Sequence, residues 1–200
     1  PGNDPFIIKP ILELAPAGVI VPLVGNAKEA GAAVAACRYP PRGIRGCGPR
    51  RGMQFGAVPF PDYLASSRTD PMVIVQIESA EAVRNLDAIL AVEGVDSVCI
   101  GPNDLSGSMG MPGETDRPEV REAVSLICAK ARAAGVMLGT AAAFDLVWIE
   151  RGIQWMAVGS DWGGMFADAR RTIDGVESAL RALGKRGRAG RLRGLPAVRE

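Results

Sequence analysis

Five short apolar runs, each followed by a helix-like stretch, constrain this chain's fold more than any other feature. They are Val19 to Val24, Met72 to Ile77, Val95 to Ile100, Val136 to Gly139 and Trp155 to Val158. None alternates polar with apolar residues, which marks parallel strands covered on both faces. Helix-like segments precede and separate them: Phe6 to Leu14, Ala27 to Cys37, a turn at Asp62 to Ala65, Ala80 to Leu90, Asp116 to Ala134, Ala142 to Arg151 and Gly164 to Leu183. Asp116 is the expected N-cap of its helix, with Pro118 in the first turn and Gly135 closing it. Such β-α repeats wind right-handed. Five of them make an open sheet or part of an eight-stranded barrel. A complete barrel takes about 250 residues, so about five units fit this length.

Composition removes several function classes. The 200 residues include four cysteines, no CxxC pair and no histidine, which excludes a Cys/His zinc site. Cys99 and Cys128 are expected to be buried free thiols, which suits a reducing cytoplasm. No apolar run reaches the length of about 20 residues that a membrane helix needs. No secretory signal opens the chain, and Pro1-Gly2-Asn3-Asp4-Pro5 reads as a loop inside a longer protein. From Arg181 onward, seven Lys/Arg face one acid, Glu200. That Gly-rich stretch holds no aromatic to stack on a base, so residues 184–200 are expected to be a solvated basic tail, not a nucleic-acid arm. Residues 1–183 are then the partial barrel.

The informative polar residues lie where the strands finish. Gln76 and Glu78 end the second strand two residues apart, so their side chains point the same way. The third strand leaves through Gly101-Pro102 and presents Asn103 and Asp104. In a parallel barrel these ends open on one face, where sites form. Glu78 and Asp104 would meet from adjacent strands. Like charges that converge are costly, and a hard divalent cation with oxygen ligands removes that cost. Gly101-Pro102 turns the chain so that backbone groups approach a ligand. Each carboxylate also has a local alternative, capping the turn that follows it. Asp96 sits at the other end of its strand and is expected to fix a loop; Asp161 is expected to cap the last helix. Phe144, Trp148, Trp155, Trp162 and Phe166 are expected in core or interface. The loop RYPPRGIRG, with Arg42 and Arg45 and followed by Arg50 and Arg51, is open to three readings: a clamp for an acidic substrate, a solvated loop or a subunit interface.

The runs GVIVPLV, RYPPRGIRG, VQIES, AVEGVDSVCIGPNDLSGSMGMPG and AVGSD, in this order from Gly18 to Asp161, closely resemble the class II, metal-dependent HpcH/HpaI aldolases. 4-Hydroxy-2-oxoheptanedioate aldolase and the 2-keto-3-deoxy-sugar-acid aldolases are of this type. The resemblance implies an α/β fold, a TIM (β/α)8 barrel, of which about the last five units are present here. It implies that Glu78 and Asp104 bind Mg²⁺, Mn²⁺ or Co²⁺. It further implies that Gln76 lies near pyruvate, and that Gly101, Pro102 and Asn103 line the same pocket. The implied reaction is reversible cleavage of a 4-hydroxy-2-oxo acid to pyruvate and an aldehyde, in a homo-oligomer that is commonly a hexamer. No Schiff-base lysine is involved. The family's histidine base and pyruvate-binding arginine lie upstream of Pro1, so no catalytic base is named among these residues.

Overall fold

Asp4 opens the first helix: its carboxylate accepts from the amide of Phe6, and α1 runs Pro5–Leu12. Strand β1, Gly18–Val21, and helix α2, Ala27–Cys37, follow. The long connection after α2 contains helix α3, Phe60–Ser66, and leads to strand β2, Met72–Ile77. Helices α4, Ala80–Arg84, and α5, Leu86–Leu90, precede strand β3, Ser97–Ile100. Helices α6, Pro102–Ser108, and α7, Pro118–Ala134, then lead to strand β4, Met137–Thr140. Helix α8, Leu146–Glu150, precedes strand β5, Trp155–Met156. This computed structural model describes residues 2–142 and 144–184. The chain divides into two compact units, Pro1–Val158 and Gly159–Glu200, and helix α9, Asp161–Ala182, belongs to the second.

The five strands form one parallel sheet in strict chain order, β1-β2-β3-β4-β5. Register explains the core. Val21, Val75, Val98 and Leu138 share one row across four strands. That face packs against Leu12 of α1, Ala30 and Ala33 of α2, Leu86 and Ile89 of α5, and Ile127 and Ala131 of α7. Small residues on α2 let its axis come close to the sheet. The opposite face carries the row Gln76, Cys99, Gly139, Trp155. Gly139 is required there, because any Cβ would collide with the Trp155 ring. The Trp155 indole donates to Ser97 Oγ at 2.9 Å, which donates to the Met137 carbonyl at 2.9 Å. This second face is not fully covered, since Ile20 is 42% exposed.

Several local expectations are corrected. The single helix expected over Ala80 to Leu90 breaks at Asn85, which leaves helical geometry and donates through Nδ2 to the Gly25 carbonyl at 2.9 Å. Asp116 is not the cap of α7. Pro118 holds the residue before it extended, so Arg117 takes the cap position without a side-chain bond. Gly135 does close that helix, at φ 68°. The cap of α9 is Ser160, whose Oγ accepts from Gly163, and Asp161 is its first residue. Asp104 lies in a helix and not in a loop, because Pro102 is preorganised for the first helical position. Trp148 is buried and Trp155 half-buried, whereas Phe144, Trp162 and Phe166 are exposed. The basic tail lies outside the described residues except for Gly184.

The arginine-rich loop joins α2 to β2, at the N-terminal ends of the strands. Ile44 N donates to the Ala35 carbonyl and Arg45 N to the Arg38 carbonyl, folding the loop back on the end of α2. Arg45 is only 3% exposed and bonds Glu13 at 3.2 Å and the Tyr63 hydroxyl at 3.0 Å, with its guanidinium over the Tyr39 ring. Arg38 donates to the carbonyls of Pro71 and Thr69 and reaches Asp96. Asp96 also accepts from the amide of Val73 at 2.7 Å, so it is a structural residue, as expected. Within one chain, therefore, Arg45 is not free to clamp a substrate at the opposite strand ends.

Candidate metal centre

The strand ends bring the predicted residues together. Glu78 follows β2 directly and Asp104 occupies the first turn of α6, which follows β3. Those two strands are neighbours. Glu78 is not the cap of α4; Ser79 is, with its Oγ accepting from Ala82. Glu78 is instead buried, at 4% exposure, and its Oε1 accepts from the amide of Leu23 at 2.8 Å. Burial pushes the Glu78 carboxyl above its ordinary range. The Leu23 amide opposes that shift; Asp104 adds to it, both as a like charge and as an acceptor for the protonated acid.

Gly101 ties the other predicted residues to this carboxylate. A Cβ there would stand 2.7 Å from Gln76 Nε2, 2.9 Å from Glu78 Oε2 and 3.0 Å from Glu78 Cβ. Gln76 and Glu78 therefore do point the same way, onto the backbone of Gly101. Pro102 starts α6, and the exposed Asn103 contributes its carbonyl to the Ser106 hydroxyl at 2.7 Å. Among the described residues, the Asn103 side chain makes no hydrogen bond to the carboxylate pair.

Three further residues shape the centre, beyond those the strand ends single out. Leu23 was read as part of a strand reaching Val24, yet the strand stops at Val21 and Leu23 adopts φ 57°. Pro22, which cannot donate to a ladder, was the available hint. Ser108 Oγ accepts from the amide of Ala80 at 2.9 Å and so binds the end of α6 to the start of α4. Cys99 shares the row of Gln76. Burial pushes its thiol up to about 11, the Ala141 amide opposes this, and the Glu78 charge adds to it.

The donor set suits a hard cation. Among the described residues, none of the ion pairs includes Glu78 or Asp104. No third His, Cys, Asp or Glu joins them among the described residues. Carboxylate oxygens completed by water and ligand oxygens are what Mg²⁺ or Mn²⁺ commonly accept. A carboxyl whose charged form is disfavoured first by burial and then by a neighbouring acid is the state such a cation relieves.

The sequence model of the HpcH/HpaI aldolase/citrate lyase family matches residues 1–173. A 5-keto-4-deoxy-D-glucarate aldolase of Salmonella paratyphi C is 40% identical over 178 residues, covering 87% of this chain and 69% of that protein. The crystal structure of an HpcH/HpaI aldolase from Desulfitobacterium hafniense superposes with a TM-score of 0.79 at 30% identity, over 88% of this chain and 70% of that one. Macrophomate synthase superposes with a TM-score of 0.75 at 25% identity, over 90% of this chain and 64% of that one.

Proposed function

Because this chain belongs to the HpcH/HpaI aldolase/citrate lyase family, we propose that it forms the metal-binding part of an aldolase that cleaves a 4-hydroxy-2-oxo acid to pyruvate and an aldehyde. The five β/α units are taken as the last five of an eight-unit barrel; the 70% coverage of the Desulfitobacterium relative supports that they are part of a longer domain of that kind. The observation that carries the proposal is the convergence of Glu78, Asp104, Gln76 and Gly101 at two neighbouring strand ends.

In this reading Glu78 and Asp104 hold Mg²⁺, Mn²⁺ or Co²⁺. A cation held there would supply Lewis-acid chemistry suited to cleaving a carbon–carbon bond of a 2-oxo acid. The chain's own residues bind and orient. Gln76 offers an amide beside the carboxylate pair, suited to a carboxylate or keto oxygen of the 2-oxo acid. Gly101 lets that oxygen approach the backbone, while Pro102 and Asn103 form the pocket edge. Proton transfer is assigned to no residue of this chain, which contains no histidine. Pyruvate, the aldehyde and a second copy of the chain are the proposed partners. No helix among the described residues is long and apolar enough to cross a membrane.

Exchange of the pyruvate methyl protons for deuterium tests this without knowledge of the aldehyde. It is to be measured with Mn²⁺ on this chain and on a version extended upstream by three β/α units. Metal-dependent exchange that vanishes in Glu78→Gln and Asp104→Asn supports the reading. Metal-independent exchange, or exchange that survives both substitutions, refutes it. The family's citrate lyase branch favours a second reading, a carbon–carbon lyase for a CoA ester; cleavage of such an ester without pyruvate exchange would establish it.

A further inference from the structure

We infer that the backbone amide of Leu23 is a positioning group that presents Glu78 to the cation through Oε2 alone, an inference that rests on the metal reading above. The two carboxylate oxygens have different surroundings. Oε1 accepts from Leu23 N at 2.8 Å, across 55 residues of sequence. Oε2 lies on the side of Gly101, where it would be 2.9 Å from an added Cβ. An amide on one oxygen fixes the plane of the carboxylate and directs the other oxygen's lone pairs.

The segment that carries this amide is held from several sides. Leu23 adopts a left-handed backbone, φ 57°, which a γ-branched residue seldom takes. Its side chain does not account for that conformation, being 71% exposed. The neighbours do. Val24 is 1% exposed and belongs to the core. Gly25 donates to Glu29 Oε2 at 2.7 Å and accepts from Asn85 Nδ2 at 2.9 Å. Asn26 caps α2 through the amide of Glu29 at 3.0 Å. The turn between β1 and α2 is thus over-determined, and its one inward-directed product is the amide on Glu78. Strained backbone that persists because its surroundings impose it is a mark of functional sites.

The test separates amide from side chain by Mn²⁺ binding, read from the electron paramagnetic resonance of free Mn²⁺. Replacing Leu23 by its α-hydroxy acid, through nonsense suppression, converts that one amide to an ester and deletes the donor. A Pro substitution would instead force a φ the turn does not have. The ester protein is expected to bind Mn²⁺ about 10- to 100-fold more weakly, the usual effect of losing a partner behind a metal ligand. Leu23→Gly keeps the amide and suits the left-handed backbone, so its affinity is expected to change less than about threefold. An ester protein that is folded by circular dichroism and binds Mn²⁺ like the parent overturns the inference. So does a Leu23→Gly protein that loses as much affinity as the ester. A parent chain that takes up no Mn²⁺ overturns the metal reading and this inference with it.

Discussion

Gly101→Ala is the most informative single substitution, because its effect is purely steric. Gly101 has φ −107° and ψ 85°, values alanine can adopt. Only the new methyl group matters. It would lie 2.7 Å from Gln76 Nε2, 2.9 Å from Glu78 Oε2 and 3.0 Å from Glu78 Cβ. The Gln76 amide can swing aside at small cost. Glu78 cannot, since its Cβ is next to the backbone and its Oε1 is tied to Leu23 at 2.8 Å. Relieving the contact therefore moves β3 away from β2 or breaks the Leu23 bond. Overpacking of this kind costs about 1–3 kcal/mol, partly offset by about 0.4–1 kcal/mol from the stiffer unfolded chain. For a chain of this length each kcal/mol shifts Tm by about 2–4 °C, so the net cost, about 1.3 kcal/mol at mid-range, gives an expected fall of about 3–5 °C.

Metal affinity should fall as well, because the displaced atom is the proposed ligand; about tenfold is expected. Gly107→Ala is the control. It lies in the same helix, and a Cβ there meets nothing within 4 Å. It should raise stability by about 0.5–1 kcal/mol and leave Mn²⁺ binding alone. Thermal melts with and without Mn²⁺ measure both quantities. If Gly101→Ala melts and binds like Gly107→Ala, the packing of Gly101 on Glu78 is not what shapes the site.

Two further outcomes follow from buried groups elsewhere. Arg45→Met should destabilise by about 1–3 kcal/mol in chemical denaturation, because it removes the Tyr63 bond and the Glu13 pair of a side chain that is 1% exposed and leaves Glu13 only Lys9 at 3.6 Å; no loss would mean that the loop is held by its backbone bonds alone. Burial pushes the thiols of Cys37 and Cys99 up to about 11, so the fold favours the neutral form. That contribution is complete below an unfolded thiol's pKa of about 8.5, and it is lost as pH rises through 11. At pH 8 a thiol reagent should label the exposed Cys47 fast and Cys37, Cys99 and Cys128 only after unfolding; fast labelling of a second native thiol would refute this.

The sheet was legible because each strand is an apolar run ended by glycine, proline or a polar pair. Met72–Ile77 was located to the residue, and Ala27–Cys37 likewise, with Asn26 just ahead of it as cap. Boundaries failed where a distant contact decided them. Asn85 breaks a helix because Gly25 offers it a carbonyl 60 residues away in sequence. Asp104 was placed correctly at a strand end, but its helix was missed, since PNDLSGS is too short to show a helical period. That Gln76 and Glu78 point the same way was legible from their spacing. The closeness of Gly101 was not, because it depends on how two parallel strands are registered, Ile77 against Ile100.

The residues that break local rules tell the same story from the other direction. Four residues other than glycine take a positive φ among those described: Ala15, Leu23, Gln54 and Phe55. Ala15 turns the chain from α1 into β1, and Gln54 and Phe55 lie in the long α2–β2 connection. Leu23 alone of the four places its amide on one of the two predicted ligands. Among the described residues, the one glycine whose added Cβ would strike the carboxylate of Glu78 is Gly101, whose conformation needs no glycine at all. A left-handed leucine and an extended glycine are both poor choices for their backbones, and both meet at a single carboxylate. Where local preference is set aside twice for the same side chain, that side chain's placement is what the surrounding fold specifies.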